Sequence, residues 1–341
     1  MPARLPESAV GSPRDFDYCR KIIKAGSKSF HFASLLLPGD VRQAAFATYA
    51  FCRIADDEID LGADPKAALD VLSRRLDNIY AGQPENHAVD RAFSYIVREY
   101  ALPRELPDAL LEGMLWDTQN RQYETLNDLL DYAARVAGSV GAMMTVLMGN
   151  RSAEAAARAC DLGLAMQLTN IARDVGEDAR AGRLYLPIEW MREAGLEPNE
   201  FIAQPNVSEP ACEVVRRLLD TAEPFYERGL SGVSLLPPAC QTSIRAAGQI
   251  YREIGVELRK LDFNSVTHRA IVSKRRKLQL LAQAKFQTNP PSSSCAPARA
   301  AQFLVSAIDA PSITPNDLVS PTRVNWVIDL FMRLEQSERA A

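Results

Sequence analysis

A chain of 341 residues with 47% hydrophobic and 24% charged side chains is long and apolar enough to bury a large core, which excludes a disordered protein. Its 39 Lys and Arg against 43 Asp and Glu leave a formal charge of −4. That balance argues against a nucleic-acid partner, because displacing counterions from phosphate calls for a basic surface.

The predicted elements are helical throughout. Ser12-Pro13-Arg14-Asp15 combines an N-cap residue, a proline at the first helical position and an acidic residue two further on. It predicts a helix from Asp15 to about Gly26. Further helical patterns run near 40–61, 65–81, 88–100, 106–120, 126–149, 153–178, 209–229, 238–260 and 270–285. Breaks fall at Pro38-Gly39, Gly82-Gln83-Pro84, Pro103, Pro187, Pro198 and Pro237-Pro238. Alternating β-branched runs and Asn-Gly hairpins are missing, so the fold class is all-α, about ten helices without an internal repeat. Residues 286–300, FQTNPPSSSCAPARA, read as a Pro/Ser-rich linker between a domain at 1–285 and a helical tail at 301–341. In that tail Val324, Val327, Phe331 and Leu334 recur at helical spacing. Its mixed polar side, Arg323 and Arg333 with Asp329 and Glu335, favours packing on the main domain over lying on a membrane.

No uncharged run reaches the roughly 20 residues of a membrane span. The six Cys are scattered without a CxxC pair, and the first residues, MPARLPESAVGSPRDF, lack the apolar core of a signal peptide. A reduced, cytoplasmic setting is expected. Three distant His residues (His31, His87, His268) make a zinc site improbable and leave any metal to carboxylates.

Two segments supply such carboxylates. In Tyr49-Ala-Phe-Cys-Arg53-Ile-Ala-Asp56-Asp57-Glu58-Ile-Asp60, Asp56 and Asp60 share a helix face, and Tyr49 and Arg53 extend the stripe. In the second, Gln167, Asn170, Asp174 and Asp178 line up at i, i+3, i+7 and i+11, with Arg173 beside them. Leu164, Leu168, Ile171 and Val175 form a separate apolar stripe on the same helix. Either acidic pair alone also fits a solvated helix end. Together they describe buried helices whose carboxylates need cations, and hard oxygen ligands in pairs suit Mg²⁺ bridging to a diphosphate.

These segments resemble the two DxxxD motifs of the squalene/phytoene synthase family. Gly26-Ser27-Lys28-Ser29-Phe30, the YAFCR lead-in at 49–53, YAARVAGSVG at 132–141, QLTNIARDVGED at 167–178 and GRLYLP at 182–187 resemble further signatures of that family, in its order and spacing. The tail is most similar to that of its purple-bacterial phytoene-forming members. The resemblance implies a single large helical domain of the isoprenoid synthase type with a central apolar cavity. It further implies Mg-dependent head-to-head condensation of two geranylgeranyl diphosphates, through prephytoene diphosphate, to phytoene in carotenoid biosynthesis.

Carried over by position, Asp56, Asp60, Asp174 and Asp178, with Asn170, would hold Mg²⁺ (Mn²⁺ as the alternative ion), and no NADPH is expected. Arg53 and Tyr49 join the four Asp as catalytic residues. Ser27, Lys28, Ser29, Gln167, Asn170, Arg173 and Arg269 would hold the diphosphates or orient the metal ligands. Phe30, Tyr49, Tyr132 and Tyr251 would line a cavity that protects cations from water. No side chain is identifiable as the proton acceptor. Met143 and Met144 read as core, and Lys274 to Lys277 as a solvated helix face with some attraction for anionic lipid. The rivals are squalene or dehydrosqualene synthesis from farnesyl diphosphate, and a non-catalytic prenyl-binding assembly factor, which the four retained Asp disfavour. An insoluble product suggests peripheral membrane contact and handover to the next carotenoid enzyme.

Overall fold

Reciprocal caps fix where the chain first turns helical. Ser12 Oγ accepts the Asp15 N–H at 3.3 Å while the Asp15 carboxylate accepts the Ser12 N–H at 3.1 Å, and Pro13 supplies a preset φ. The computed structural model describes residues 11–61, 65–287, 292 and 295–309, without the side chains of Lys28, Ser29, Asp60, Leu61, Pro65, Lys66 and Asp309. The tail positions Val324, Val327, Phe331 and Leu334 lie outside the described residues.

Helices α1 (Pro13–Gly26), α2 (Lys28–Ser34), α3 (Gly39–Leu61), α4 (Pro65–Tyr80), α5 (Ala88–Glu99) and α6 (Glu105–Thr118) form the first half. Next come α7 (Leu126–Ala133), α8 (Ser139–Leu147), α9 (Ala153–Arg180), α10 (Ile188–Glu193), α11 (Pro198–Ala203), α12 (Glu209–Ser231), α13 (Pro238–Lys260), α14 (Lys274–Phe286) and α15 (Gln302–Asp309). The described residues contain no strand, so the fold is all-α as the sequence implies. Three short helices, α2, α10 and α11, have no counterpart in the periodicity, since one or two turns carry too few apolar repeats to register, while α15 falls at the start of the expected helical tail.

One expected helix departs from its reading. Residues 126–149 are not a single α-helix: α7 and α8 are joined by a π-helical turn, Ala134–Gly138. The extra residue in that turn rotates the second half of the motif against α9. There Gly141 and Gly163 allow backbone to meet backbone. A Cβ on Gly141 would stand 2.4 Å from the Ala159 carbonyl oxygen, and one on Gly163 2.5 Å from that of Ala137.

The long helix α9 is the axis of the molecule. Leu164, Ala165, Leu168 and Ala172 are wholly buried on it, and α7, α8, α12, α13 and α15 pack around it. The core has two lobes. One gathers α1, α3 to α6, α8, α15 and the start of α9; the other gathers the rest of α9 with α10 to α13. Phe30, Val136 and Phe225 touch both lobes. Ala301, Leu304 and Ile308 insert into the first lobe beside Leu164 and Met143. Buried ion pairs tie neighbouring helices: Arg75 with Asp90 at 2.6 Å, Arg91 with Asp15 at 2.5 Å, and Asp161 between Arg158 (3.0 Å) and Arg228 (2.7 Å).

The glycine contacts make a test. Gly163→Ala forces the π turn and α9 apart and is expected to lower stability by about 1–3 kcal/mol in urea unfolding. Gly39→Ala, whose nearest neighbour would be 4.0 Å away, is expected to stay within about 0.5 kcal/mol of wild type.

Candidate active site

A cavity of about 540 Å³ opens along the seam between the lobes. Its lining follows α9 from Ala155 to Asn170, a run of about 22 Å at the helical rise. Over most of that run the walls are apolar or small: Leu37, Val140, Met144, Met148, Leu162 and Leu236 among them. Polar side chains gather where Gln167 and Asn170 of α9 meet Arg53 and Asp56 of α3 and Asp117 of α6.

The acidic run of α3 is sorted by its neighbours. Glu58 pairs with Arg75 across to α4, and Asp57 pairs with Arg53 at 2.5 Å. Asp56 keeps a longer contact to Arg53, 3.3 Å, and lines the cavity. On α9, Arg173 grips Asp174 with two bonds, 2.8 and 2.5 Å. Arg269 adds a third bond to Asp174 at 2.9 Å and reaches Glu177 at 3.2 Å. Gly176 makes that reach achievable. The segment after α13 turns through positive φ at Asp262 and Phe263 and lies on α9, where the Gly176 N–H donates to the Ser265 carbonyl at 3.1 Å. A Cβ at 176 would meet the Val266 carbonyl oxygen at 2.0 Å. The glycine of the DVGED run is therefore what admits Arg269 to the acidic cluster.

Charge crowding shows in the proton affinities. Burial pushes Asp178 up to about 7, and Asp174, Glu177 and Asp117 add to the rise while Arg183 opposes it. Burial likewise lifts Asp117 to about 6, with Asp56 adding, against hydrogen bonds from Tyr185 and Tyr132. Burial lowers the proton affinity of Arg173, but its bond to Asp174 holds the net value above the ordinary one. Asp117 thus links the two acidic stripes electrostatically.

Of the residues picked out in the sequence, Phe30, Tyr49, Arg53, Asp56, Tyr132, Gln167, Asn170 and Tyr251 line the cavity. Arg173, Asp174, Asp178 and Arg269 continue past its polar end along α9 and the segment laid on it. Phe30 stands 5.2 Å from Tyr251 and 6.4 Å from Tyr49, ring centre to ring centre. Ser27 caps α2, its Oγ accepting the Phe30 N–H at 3.3 Å. The side chains of Lys28, Ser29 and Asp60 lie outside the described residues. Sequence reasoning missed Asp117, Tyr123, Tyr185 and Arg183. Tyr185 and Arg183 stood within a quoted motif without a role, and Asp117 has no acidic partner at helical spacing that would have drawn attention to it.

The donor set fits a hard divalent cation. Asn170 Oδ1 is buried and has no hydrogen-bond partner among the described residues, and Asn170 lines the cavity with Asp56, one helical turn before Asp174. Among the described side chains no three His, Cys, Asp or Glu groups already sit at metal-holding distances. Among the described residues, too, no helix is long and apolar enough to cross a membrane.

Known proteins resemble this chain over most of its length. A family model described as squalene/phytoene synthase matches residues 23–279. A phytoene synthase of Rhodobacter capsulatus is 54% identical over 271 residues, 79% of this chain and 80% of the relative. One from Cereibacter sphaeroides is 48% identical over 310 residues, 86% and 87% of the two chains. Among solved structures, a dehydrosqualene synthase in complex with ligand superposes with a TM-score of 0.73 at 36% identity, covering 80% of this chain and 95% of its own.

The raised Asp178 sets a pH dependence for the metal-free protein. Its carboxyl protonates near 7 when folded and near 3.8 when unfolded, so the folded chain holds the extra proton between those values. Stability therefore falls as pH rises through that window. Asp178→Asn cannot ionise, and in chelator it is expected to melt a few degrees above wild type at about pH 8 and level with it near pH 4. Circular dichroism melts at the two pH values check this.

Proposed function

The chain belongs to the squalene/phytoene synthase family, and we propose that it makes phytoene by condensing two geranylgeranyl diphosphates head to head through prephytoene diphosphate. The observation that carries the reading is the polarity of the cavity: a long apolar run ending in carboxylates, amides and arginines. A polyprenyl chain matches the first part and a diphosphate the second. Identity of 48–54% with the two phytoene synthases supports a C20 substrate over a C15 one.

Arg53, Arg173 and Arg269 are already turned onto carboxylates and would exchange them for diphosphate oxygens, which a guanidinium fork binds in two places. Asp56, Asp60, Asp174, Asp178 and the free oxygen of Asn170 would hold Mg²⁺, with Mn²⁺ as a substitute. An ion held there would supply positive charge to offset that of the diphosphate leaving group. Phe30, Tyr49 and Tyr251 then face the allylic cation with their rings, which stabilise positive charge without donating to it. The apolar walls keep water from capturing that cation.

The hydrocarbon product is insoluble in water, which favours a peripheral membrane contact and transfer to the next carotenoid enzyme. Ile271, 74% exposed two residues after Arg269, and the exposed Lys274 and Arg275 support such a contact beside the site. Flotation with anionic liposomes is expected to carry the protein, and Ile271→Asp to weaken it.

Purified protein given Mg²⁺ and labelled C20 diphosphate is expected to yield a C40 hydrocarbon without NADPH, identified by mass. Asp56→Asn and Asp174→Asn are each expected to cut turnover by at least about 100-fold with unchanged circular dichroism. Squalene from C15 diphosphate made only with NADPH would overturn the reading.

A further inference from the structure

The family match ends at residue 279, yet the chain beyond it builds part of the fold. Helix α15 packs against α6, α8 and α9, and the 3₁₀ turn before it, Arg299–Ala301, packs against the π turn. Ala301, Leu304 and Ile308 are wholly buried in that contact. Gly138, the last residue of the π turn, lies between two leucines. A Cβ there would stand 3.2 Å from Leu164 Cδ1 of α9 and 3.3 Å from Leu304 Cδ1 of α15.

The other end of the π turn is held as firmly. The Arg135 guanidinium lies 4.3 Å from the ring centre of Trp116 and 5.3 Å from that of Phe303, and it pairs with Glu112 at 2.9 Å. Arg299 adds a bridge to Asp131 of α7 at 3.3 Å. Val136 and Ala137 of the same turn, and Val140 just after it, line the cavity. A π turn is rare in helices and gathers at functional sites. Here the side chains that hold one come in part from residues outside the family match.

We propose that Leu304 and Phe303 are positioning residues for the polyprenyl chain, acting through the π turn that forms part of its wall. This rests on the prenyl-binding reading of the cavity. Ala137 and Gly138 meet α9 at Gly163 and Leu164, which precede Asn170 by six or seven residues, roughly 10 Å of helix. That level lies past the diphosphate end, beside the body of the chain. Leu304 backs the wall at Gly138, and Phe303 backs it through Arg135. Shortening Leu304 leaves a space behind the turn into which the wall can relax. Apolar contacts along the chain are the same before and during ionisation, so losing them weakens substrate binding without slowing the chemistry.

The test splits KM from kcat in the full-length, Mg²⁺-loaded protein with C20 diphosphate. Leu304→Ala is expected to raise KM by about 5–20-fold with kcat within about twofold of wild type. Leu304→Met, which refills the volume, is expected to restore KM to near wild type. Leu72→Ala is the control: Leu72 is wholly buried in α4, in the same lobe, and does not line the cavity. Lost stability alone lowers the active fraction and so the apparent kcat, and Leu72→Ala is expected to leave KM unchanged. Phe303→Ala opens no core cavity, since Phe303 is 39% exposed, and carries the test if Leu304→Ala does not fold, with an expected rise in KM of about 2–5-fold. A wild-type KM in Leu304→Ala or, failing that, in Phe303→Ala would overturn the proposal, as would an equal rise in Leu72→Ala. A wild type that does not turn over C20 diphosphate would instead overturn the functional reading itself.

Discussion

Repulsion among carboxylates crowded at one end of a cavity is the constraint around which this molecule is arranged. Asp56, Asp117, Asp174 and Asp178 come from three helices to one end of a single cavity, and the raised proton affinities of Asp117 and Asp178 record the strain. Arginine relieves part of it. Arg53 bridges Asp56 and Asp57, while Arg173 and Arg269 converge on Asp174. The relief is incomplete, since Asp178 stays above the ordinary carboxylate range. No arginine hydrogen bond to the Asp178 carboxylate stands among the described contacts, and Asp178 carries the larger shift.

The same end of the molecule shows what two motif residues do for the backbone. Gly176 lets the segment 261–273 lie on α9 and so delivers Arg269. Ser27 caps α2, the helix that presents Phe30 against Tyr251. Such residues act on the site through backbone geometry: one by lacking a side chain, the other by spending its hydroxyl on an N–H.

Helix-bearing periodicity and the two acidic stripes were legible because each is local in the chain. Gln167, Asn170, Asp174 and Asp178 lie on one helix, so spacing alone places them on one face. The π turn at Ala134–Gly138 was illegible, because one extra residue in a helix leaves the apolar pattern nearly intact. Asp117 was illegible for a different reason. It belongs to the site through Tyr132, fifteen residues on, and Tyr185, sixty-eight residues on, and no window of sequence contains that triangle. The motif holding Tyr185 was recognised by its pattern, yet the pattern says nothing of which carboxylate the hydroxyl finds.

A preformed apolar cavity also demands walls that do not collapse into it. Large side chains can swing inward and fill such a space, as cores do when a residue is shortened. Here much of the wall is backbone and methyl groups: Ala137, Gly141, Ala155, Ala159, Gly163, Gly229 and Gly232 all line it. At Gly141 and Gly163 the packing is helix backbone on helix backbone, which has no rotamer to relax. A Cβ added at Gly229 would stand 2.7 Å from the Leu162 backbone nitrogen, so its absence lets α12 close on α9. Small residues thus bring the helices close enough to be rigid and, facing the other way, leave room for the polyprenyl chain. The apolar composition that first read only as a large core serves both purposes, and α9 is where they meet.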